Sequence, residues 1–177
     1  MKPRGPLMIE HRLIEKMLEV VRRQVAAMKK TGKTDPVFIE TVVDFVRVYA
    51  DRTHHGKEED ILFKALEGKE MSGQDEKIMQ ELLDEHKFGR KTVDELVAAN
   101  REYASGKKAA LSAIIEKLET LAKFYPEHII KEDKFFFPST EKLFTQKEQD
   151  DMLEAFWEFD RKMIHEKYEA LVKQLAG

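Results

Sequence analysis

His54-His55-Gly56-Lys57-Glu58-Glu59-Asp60-Ile61-Leu62-Phe63 is the stretch from which the fold is read. Within it a His is followed four residues later by a Glu. On a helix that spacing puts both side chains on one face, one turn apart. His54 and Glu58 can therefore present an imidazole nitrogen and a carboxylate to the same point. The pattern returns at His128-Ile129-Ile130-Lys131-Glu132-Asp133-Lys134-Phe135-Phe136-Phe137, again with His, Glu at i+4 and Phe at i+9. A lone His-x-x-x-Glu is usually a surface helix pair. Two copies with the same trailing aromatic point to a shared interior site.

Outward from these stretches the apolar spacing is helical. Leu7, Met8, Ile14, Leu18, Val21, Val25 and Met28 mark a first helix that ends at Thr31-Gly32. Asp35-Pro36 opens the second, with Asp as N-cap and Pro at the first helical position. It runs through Phe38, Val42, Phe45, Tyr49, His54, Glu58 and Leu62 to about Leu66, before Gly68 and Ser72-Gly73. A third helix covers about Asp75 to Tyr103, and a fourth runs from Leu111 through His128 and Glu132 to Pro138. Pro126 inside the fourth removes a backbone hydrogen bond and is expected to kink or restart it. Thr145-x-x-Glu148 is a capping box that opens a fifth helix ending near Leu175. That helix carries Phe156, Trp157, Phe159, Ile164, Tyr168 and Leu171 to cover one flank.

Four long amphipathic helices with short connections predict an all-α, up-down-up-down antiparallel four-helix bundle with an additional C-terminal helix. The expected organisation is one domain over residues 1–177, with the bundle over 7–138 and a helical extension over 139–177.

Histidines are spaced to match. Glu10-His11 lies on the first helix and Glu85-His86 on the third; His11 to His54 spans 43 residues and His86 to His128 spans 42. The chain thus reads as two similar halves, which an antiparallel bundle brings to one depth. Six candidate metal ligands follow: His11, His54, Glu58, His86, His128 and Glu132. Imidazole suits iron, copper, zinc and nickel, and a carboxylate can bridge two cations. Two unpaired buried carboxylates would each cost several kcal/mol, a cost that metal ions remove. At α-helical periodicity His54 shares a face with Val43, Ala50, Ile61 and Ala65, Arg47 being the exception, whereas His55 shares one with Asp44, Asp51, Arg52 and Glu59. His54 and Glu58 are therefore expected inside, and His55 and Glu59 in water. His165 lacks a carboxylate at i+4 and reads as structural, and the phenylalanines at 63, 135, 136 and 137 as core. Tyr49 and Tyr125 read as core, with hydrogen bonding to metal ligands as the alternative.

Composition narrows the function. The chain of 177 residues has a formal net charge of −3, so nothing suggests a nucleic-acid partner. It has no cysteine, which excludes disulfides, thiolate catalysis and thiolate metal sites. No apolar run approaches a membrane span, and no apolar leader follows the N-terminus. A cytoplasmic protein is expected.

Glu10-His11-Arg12, His54-His55-x-x-Glu58-Glu59 with Leu62-Phe63, Glu85-His86 with Gly89-Arg90, and His128-Ile129 with Glu132 and Phe137-Pro138 together resemble the hemerythrin-like, or HHE cation-binding, family. The resemblance covers about residues 7–138 and implies a bundle holding two non-haem iron ions with an oxo- or hydroxo-type bridge. By position, His11 and His54 would bind one iron, His86 and His128 the other, and Glu58 and Glu132 would bridge them. Oxygen-carrying members have a further His where this chain has Arg90, and an Asp at the position of Asp133; Glu132 fits the wider HHE pattern better. Two His per iron results, and reversible oxygen carriage is in doubt. Some members also use the position of His55. Zinc or manganese would suit the same donors. Ferritin-like di-iron proteins carry Glu three residues before a ligand His. Met8, Asp51, Arg52, Leu83, Tyr125 and Lys162 stand there instead, so that reading fails.

Two functions are consistent with the resemblance. One is a protein that binds, senses or buffers oxygen, nitric oxide or iron. The other is a di-iron enzyme that reduces peroxide or nitric oxide, or assists repair of iron–sulfur centres. A structural bundle without metal is the third possibility, and it would tolerate His54→Ala.

Overall fold

The computed structural model describes residues 2–176, without the side chains of Tyr168, Ala170, Leu171 and residues 173–176. Five long helical segments dominate. Helix α1 is Arg4–Thr31, closed by Gly32 in the left-handed region at φ 66°, where its N–H reaches the carbonyl of Met28. Helix α2 covers residues 36–66 and changes winding along its length. It is α-helical over Pro36–Asp44, π-helical over Phe45–His55 and Glu58–Phe63, and α-helical again over Lys64–Leu66. Helix α3 is Gly73–Ala104. Helix α4 comprises α-helical Leu111–Lys131, a π turn over Glu132–Phe136 and a last turn at Phe137–Thr140. Helix α5 is Gln146–Ala176.

The helix starts follow their side chains. Asp35 accepts from the Val37 N–H, and Ser72 caps α3 by accepting from the Asp75 N–H. Thr145 and Glu148 bond reciprocally at the start of α5, as a capping box requires. Pro126 does not restart α4, which is helical on both sides of it. A proline forfeits a single hydrogen bond, and the packed apolar face of Leu118, Leu121, Ala122, Tyr125 and Ile129 outweighs that loss.

Helix α3 packs most extensively on α4, α4 also on α1, and α2 on α3. Two apolar clusters fill the interior. The larger is built from Ile14, Leu18, Val21, Val46, Ala50, Val93, Leu96, Leu118, Tyr125 and Ile129, among others. The smaller includes Leu7, Leu62, Phe63, Leu66, Ile78, Leu82, Phe136, Phe137 and Phe156. On the first three helices the histidines fall between residues of the two clusters, and on the fourth His128 sits at the edge of the larger and Glu132 between them, so a polar layer is flanked above and below by hydrocarbon.

Helix α5 covers α2 at the level of that layer. Phe156 is fully buried, and a methyl at Gly56 would come within 2.7 Å of the Phe159 ring, so the glycine permits this close approach. Trp157 and Ile164, expected on the covering face, are exposed: α5 buries the stripe of Met152, Leu153 and Phe156, and Trp157 is turned out one residue later. The expected contributions of Tyr168 and Leu171 lie outside the described side chains. Phe135 is exposed too, while Phe63, Phe136 and Phe137 are core. Among the described residues no helix is long and apolar enough to cross a membrane.

Candidate metal centre

The polar layer holds all six expected ligands. His11, His54, Glu58, His86, His128 and Glu132 are each at most 2% exposed. Their donor atoms form two adjoining groups. Atoms of His11, His54, Glu58 and Glu132 lie within 4.8 Å of one another, and so do atoms of His55, His86 and His128. The carboxylates span both groups. Glu58 turns one oxygen to His54 Nε2 at 3.4 Å and the other to His86 Nε2 at 3.5 Å. Glu132 lies 3.2 Å from His11 Nε2 with one oxygen, and 3.2 Å from His128 Nε2 and 3.9 Å from His86 Nε2 with the other.

None of these approaches is aligned as a hydrogen bond. The Nε2 atoms of His11, His54, His55, His86 and His128 and both oxygens of Glu58 and Glu132 are buried without a hydrogen-bond partner among the described residues. Orphaned buried polar atoms are costly, and a concentration of them in one place calls for an explanation. Lone pairs that converge on shared points rather than on each other suit cations. The donor set of neutral nitrogen and carboxylate oxygen is that of a first-row transition metal. The residues fit such ions.

His55 departs from expectation: it is 2% exposed and inside. Its ring stacks on His86 at 3.8 Å between centroids, and it lies 5.6 Å from His128. The reason is the π winding of α2. A hydrogen bond to i+5 fits an extra residue into each turn, so the faces drift from those of an α-helix. The Thr53 hydroxyl, bonded to the carbonyl of Val48 five residues back, follows the same register. The assumption of regular α periodicity turned His55 outward. Three imidazoles thus come together in this group, where two were expected. His165, expected to be structural, is exposed on α5.

A ring of carboxylates outside the candidate donors explains the recurrent acidic neighbours. Glu10, beside His11, accepts from His54 Nδ1 at 2.8 Å; Glu59, beside Glu58, from His86 Nδ1 at 2.7 Å. Glu85, beside His86, accepts from His128 Nδ1 at 2.7 Å; Asp133, beside Glu132, from His11 Nδ1 at 2.8 Å. Each helix therefore supports a histidine of the next, and the circuit closes from α4 to α1. Asp51 completes the set with His55 Nδ1 at 3.2 Å. Glu59 thus faces His86 Nδ1 and is not simply solvated, and Asp133 faces His11 Nδ1. With the proton held at Nδ1 each ring keeps its Nε2 lone pair inward. A cation holds every one of these carboxylates: Lys57 on Glu10, Arg90 on Glu59 and Asp51, Lys131 on Glu85 and Arg12 on Asp133. Lys57, fully buried, also reaches Asp160 of α5 at 2.7 Å.

Without a cation the cluster neutralises itself with protons. Burial works against charge on His11, but Asp133 and Glu132 outweigh it and raise its pKa to about 9. His128 is raised to about 10 by Glu132 and Glu85, again against burial. Burial dominates at His54, lowering it to about 4 despite Glu10, and at His55, held well below the ordinary range also by His86 and His128. Burial and the neighbouring Glu132 raise Glu58 to about 8. Glu132 is buried as deeply, yet His128, His11 and His86 keep it ionised. The ring carboxylates Glu10, Glu59 and Glu85 are lowered too, because their His and cation partners outweigh burial.

A cavity of about 220 Å³ reaches the outer edge of His55 and His86, lined also by Val46, Gly89, Arg90 and Tyr125. Tyr125 is buried core, whereas Tyr49 is half-buried beside a second cavity of about 560 Å³ under α5.

The family described as Hemerythrin HHE cation binding domain matches residues 6–140, which includes every side chain of both donor groups. Three uncharacterised mycobacterial proteins are similar in sequence, two from Mycobacterium tuberculosis strains and one from Mycobacterium bovis. Each is 22% identical over 171 residues, which is 96% of this chain and 66% of the relative. The chain thus spans just under two thirds of the length of the curated relatives it matches. No solved structure matches it significantly.

Proposed function

The chain belongs to the hemerythrin HHE cation-binding domain family, and from that premise we propose that it holds a non-haem di-iron centre that binds, senses or buffers oxygen, nitric oxide or iron. One observation carries the reading: five imidazole nitrogens and four carboxylate oxygens, all buried, lack hydrogen-bond partners among the described residues and converge in two adjoining groups. His11 and His54 would hold one ion, and His55, His86 and His128 the other. Glu58 and Glu132 would bridge them, one oxygen to each. The order of the clusters supports the up-down-up-down topology. Along α1 and α3 the chain passes from the smaller apolar cluster to the larger, and along α2 and α4 it returns.

The bound pair would supply open coordination positions for a small ligand and electrons for its reduction. The protein supplies the rest. The ring carboxylates orient the imidazoles, Phe137 stacks 6.0 Å from His11 and Phe63 lies 6.1 Å from His86, and the two apolar clusters exclude water.

A second reading is an enzyme that reduces peroxide or nitric oxide or assists iron–sulfur repair. The cavity beside His55 and His86 favours it, since turnover requires passage of substrate and product. One experiment addresses both. Metal-free protein is loaded anaerobically with Fe²⁺, metal per chain is counted, and oxygen or peroxide is then admitted. Two ions per chain with an oxygen-dependent near-ultraviolet band support the centre, and repeated consumption of peroxide in the presence of an added electron donor supports the enzyme. Failure to retain iron, or a spectrum indifferent to oxygen, would count against both.

A further inference from the structure

Among the described residues, Arg90 occupies a place in the outer ring that no other cation shares. Its Nε donates to Asp51 Oδ1 at 2.8 Å and its Nη2 to Glu59 Oε1 at 2.7 Å. The same two oxygens accept from the Nδ1 atoms of His55 and His86. One guanidinium therefore fixes two carboxylates, and through them two imidazoles stacked 3.8 Å apart at an interplanar angle of 11°. Lys57 and Arg12 serve the two-histidine half separately, through Glu10 and Asp133. Lys131 serves only His128, through Glu85.

We infer that Arg90 is the positioning residue of the three-histidine half, holding His55 and His86 together as a pair through Asp51 and Glu59; this rests on the dinuclear reading above. Geometry selects arginine. A planar guanidinium offers several N–H donors in a fixed fork, so it can satisfy two carboxylates at once, whereas an ammonium is a point charge on a flexible stem. Asp51 and Glu59 retain exposed surface, their side chains being 21% and 26% exposed, so both carboxylates can swing into water once the cation is gone. His55 and His86 would then lose the acceptors that hold their Nδ1 protons and aim their Nε2 atoms. Loss of outer partners of metal ligands costs about 10- to 100-fold in metal affinity. Here that loss falls on one half of the centre.

The test is a titration of the metal-free protein with Co²⁺, read by calorimetry and by the visible absorption of the bound ion, which reports its donors. Wild-type protein is titrated first and should take up two ions per chain. In Arg90→Gln one site should weaken by about 10- to 100-fold with altered absorption while the other keeps its affinity. Arg90→Lys, reaching one carboxylate at a time, should recover part of the loss. Arg12→Gln should weaken the opposite site. Equal weakening of both sites in Arg90→Gln, or no change in either, would overturn the assignment. If Arg90→Gln does not fold, a folded Arg90→Lys with wild-type affinity at both sites would overturn it equally. Fewer than two ions on the wild type would refute the dinuclear reading itself, before any variant is compared.

Discussion

Replacement of Glu132 by Gln changes one atom and one charge at the point where the two halves of the centre meet. Its oxygens lie 3.2 Å from His11 Nε2 on one side and 3.2 Å from His128 Nε2 on the other, so both ions would lose affinity. An ion present at a thousand times its Kd stabilises the native state by about 4.1 kcal/mol. For a chain of this size each kcal/mol moves the melting temperature by about 2–4 °C, so wild-type protein should gain about 8–16 °C per saturated site. A 10- to 100-fold loss of affinity removes about 1.4–2.7 kcal/mol of that gain, or about 3–11 °C per site. The metal-free variant should change less. Glu132 is one of the two causes that keep Glu58 protonated, so Glu58 can take over part of the lost charge beside His11 and His128. Melting temperatures of both proteins, with and without Fe²⁺ under argon, give the comparison. A variant stabilised by Fe²⁺ as much as the wild type would refute the bridging role.

Other expectations follow from the same layer. In the metal-free protein, His11 and His128 have native pKa values of about 9 and 10, above their ordinary 6.5. Their contribution to stability is complete below about pH 6.5 and is lost as pH rises towards 9–10. The raised Glu58, at about 8, acts in the same direction. Urea unfolding should therefore show falling stability between about pH 7 and 10, and a flat profile would contradict the assignment. His54, lowered to about 4, and Glu132 act oppositely and cost stability on the acid side. His55→Ala should lower bound metal from about two ions per chain towards one, with His165→Ala as the unaffected control, by elemental analysis. Lys57→Met leaves Glu10 and the half-buried Asp160 without their cation. It should cost about 3 kcal/mol, the lower end for a broken buried pair because Asp160 can reach water, or about 6–12 °C in a thermal melt.

The sequence discloses the helices and the six central donors for a simple reason. Amphipathic periodicity, Asp35-Pro36 and the Thr145–Glu148 box are local signals, and the structure keeps them. His-x-x-x-Glu is local as well, one turn of one helix. What lay beyond reach is set by contacts between helices or by winding. His55 turns inward only because α2 is π-helical over Phe45–His55, a register that α periodicity does not contain. The acidic residue beside each candidate donor is visible at Glu10, Glu59, Glu85 and Asp133, but each serves the histidine of a neighbouring helix. Arg90 likewise acts between helices, on Asp51 and Glu59 of α2. Trp157 shows the converse: an apolar residue on an amphipathic helix was expected to be covered and is exposed.

The most direct measurement is the anomalous diffraction of iron from crystals of the protein loaded anaerobically with Fe²⁺. The account predicts two peaks in the polar layer. One should lie among His11, His54, Glu58 and Glu132, the other against His55, His86 and His128, with both carboxylates between them. A single peak, or iron bound away from these nine orphaned atoms, would contradict it.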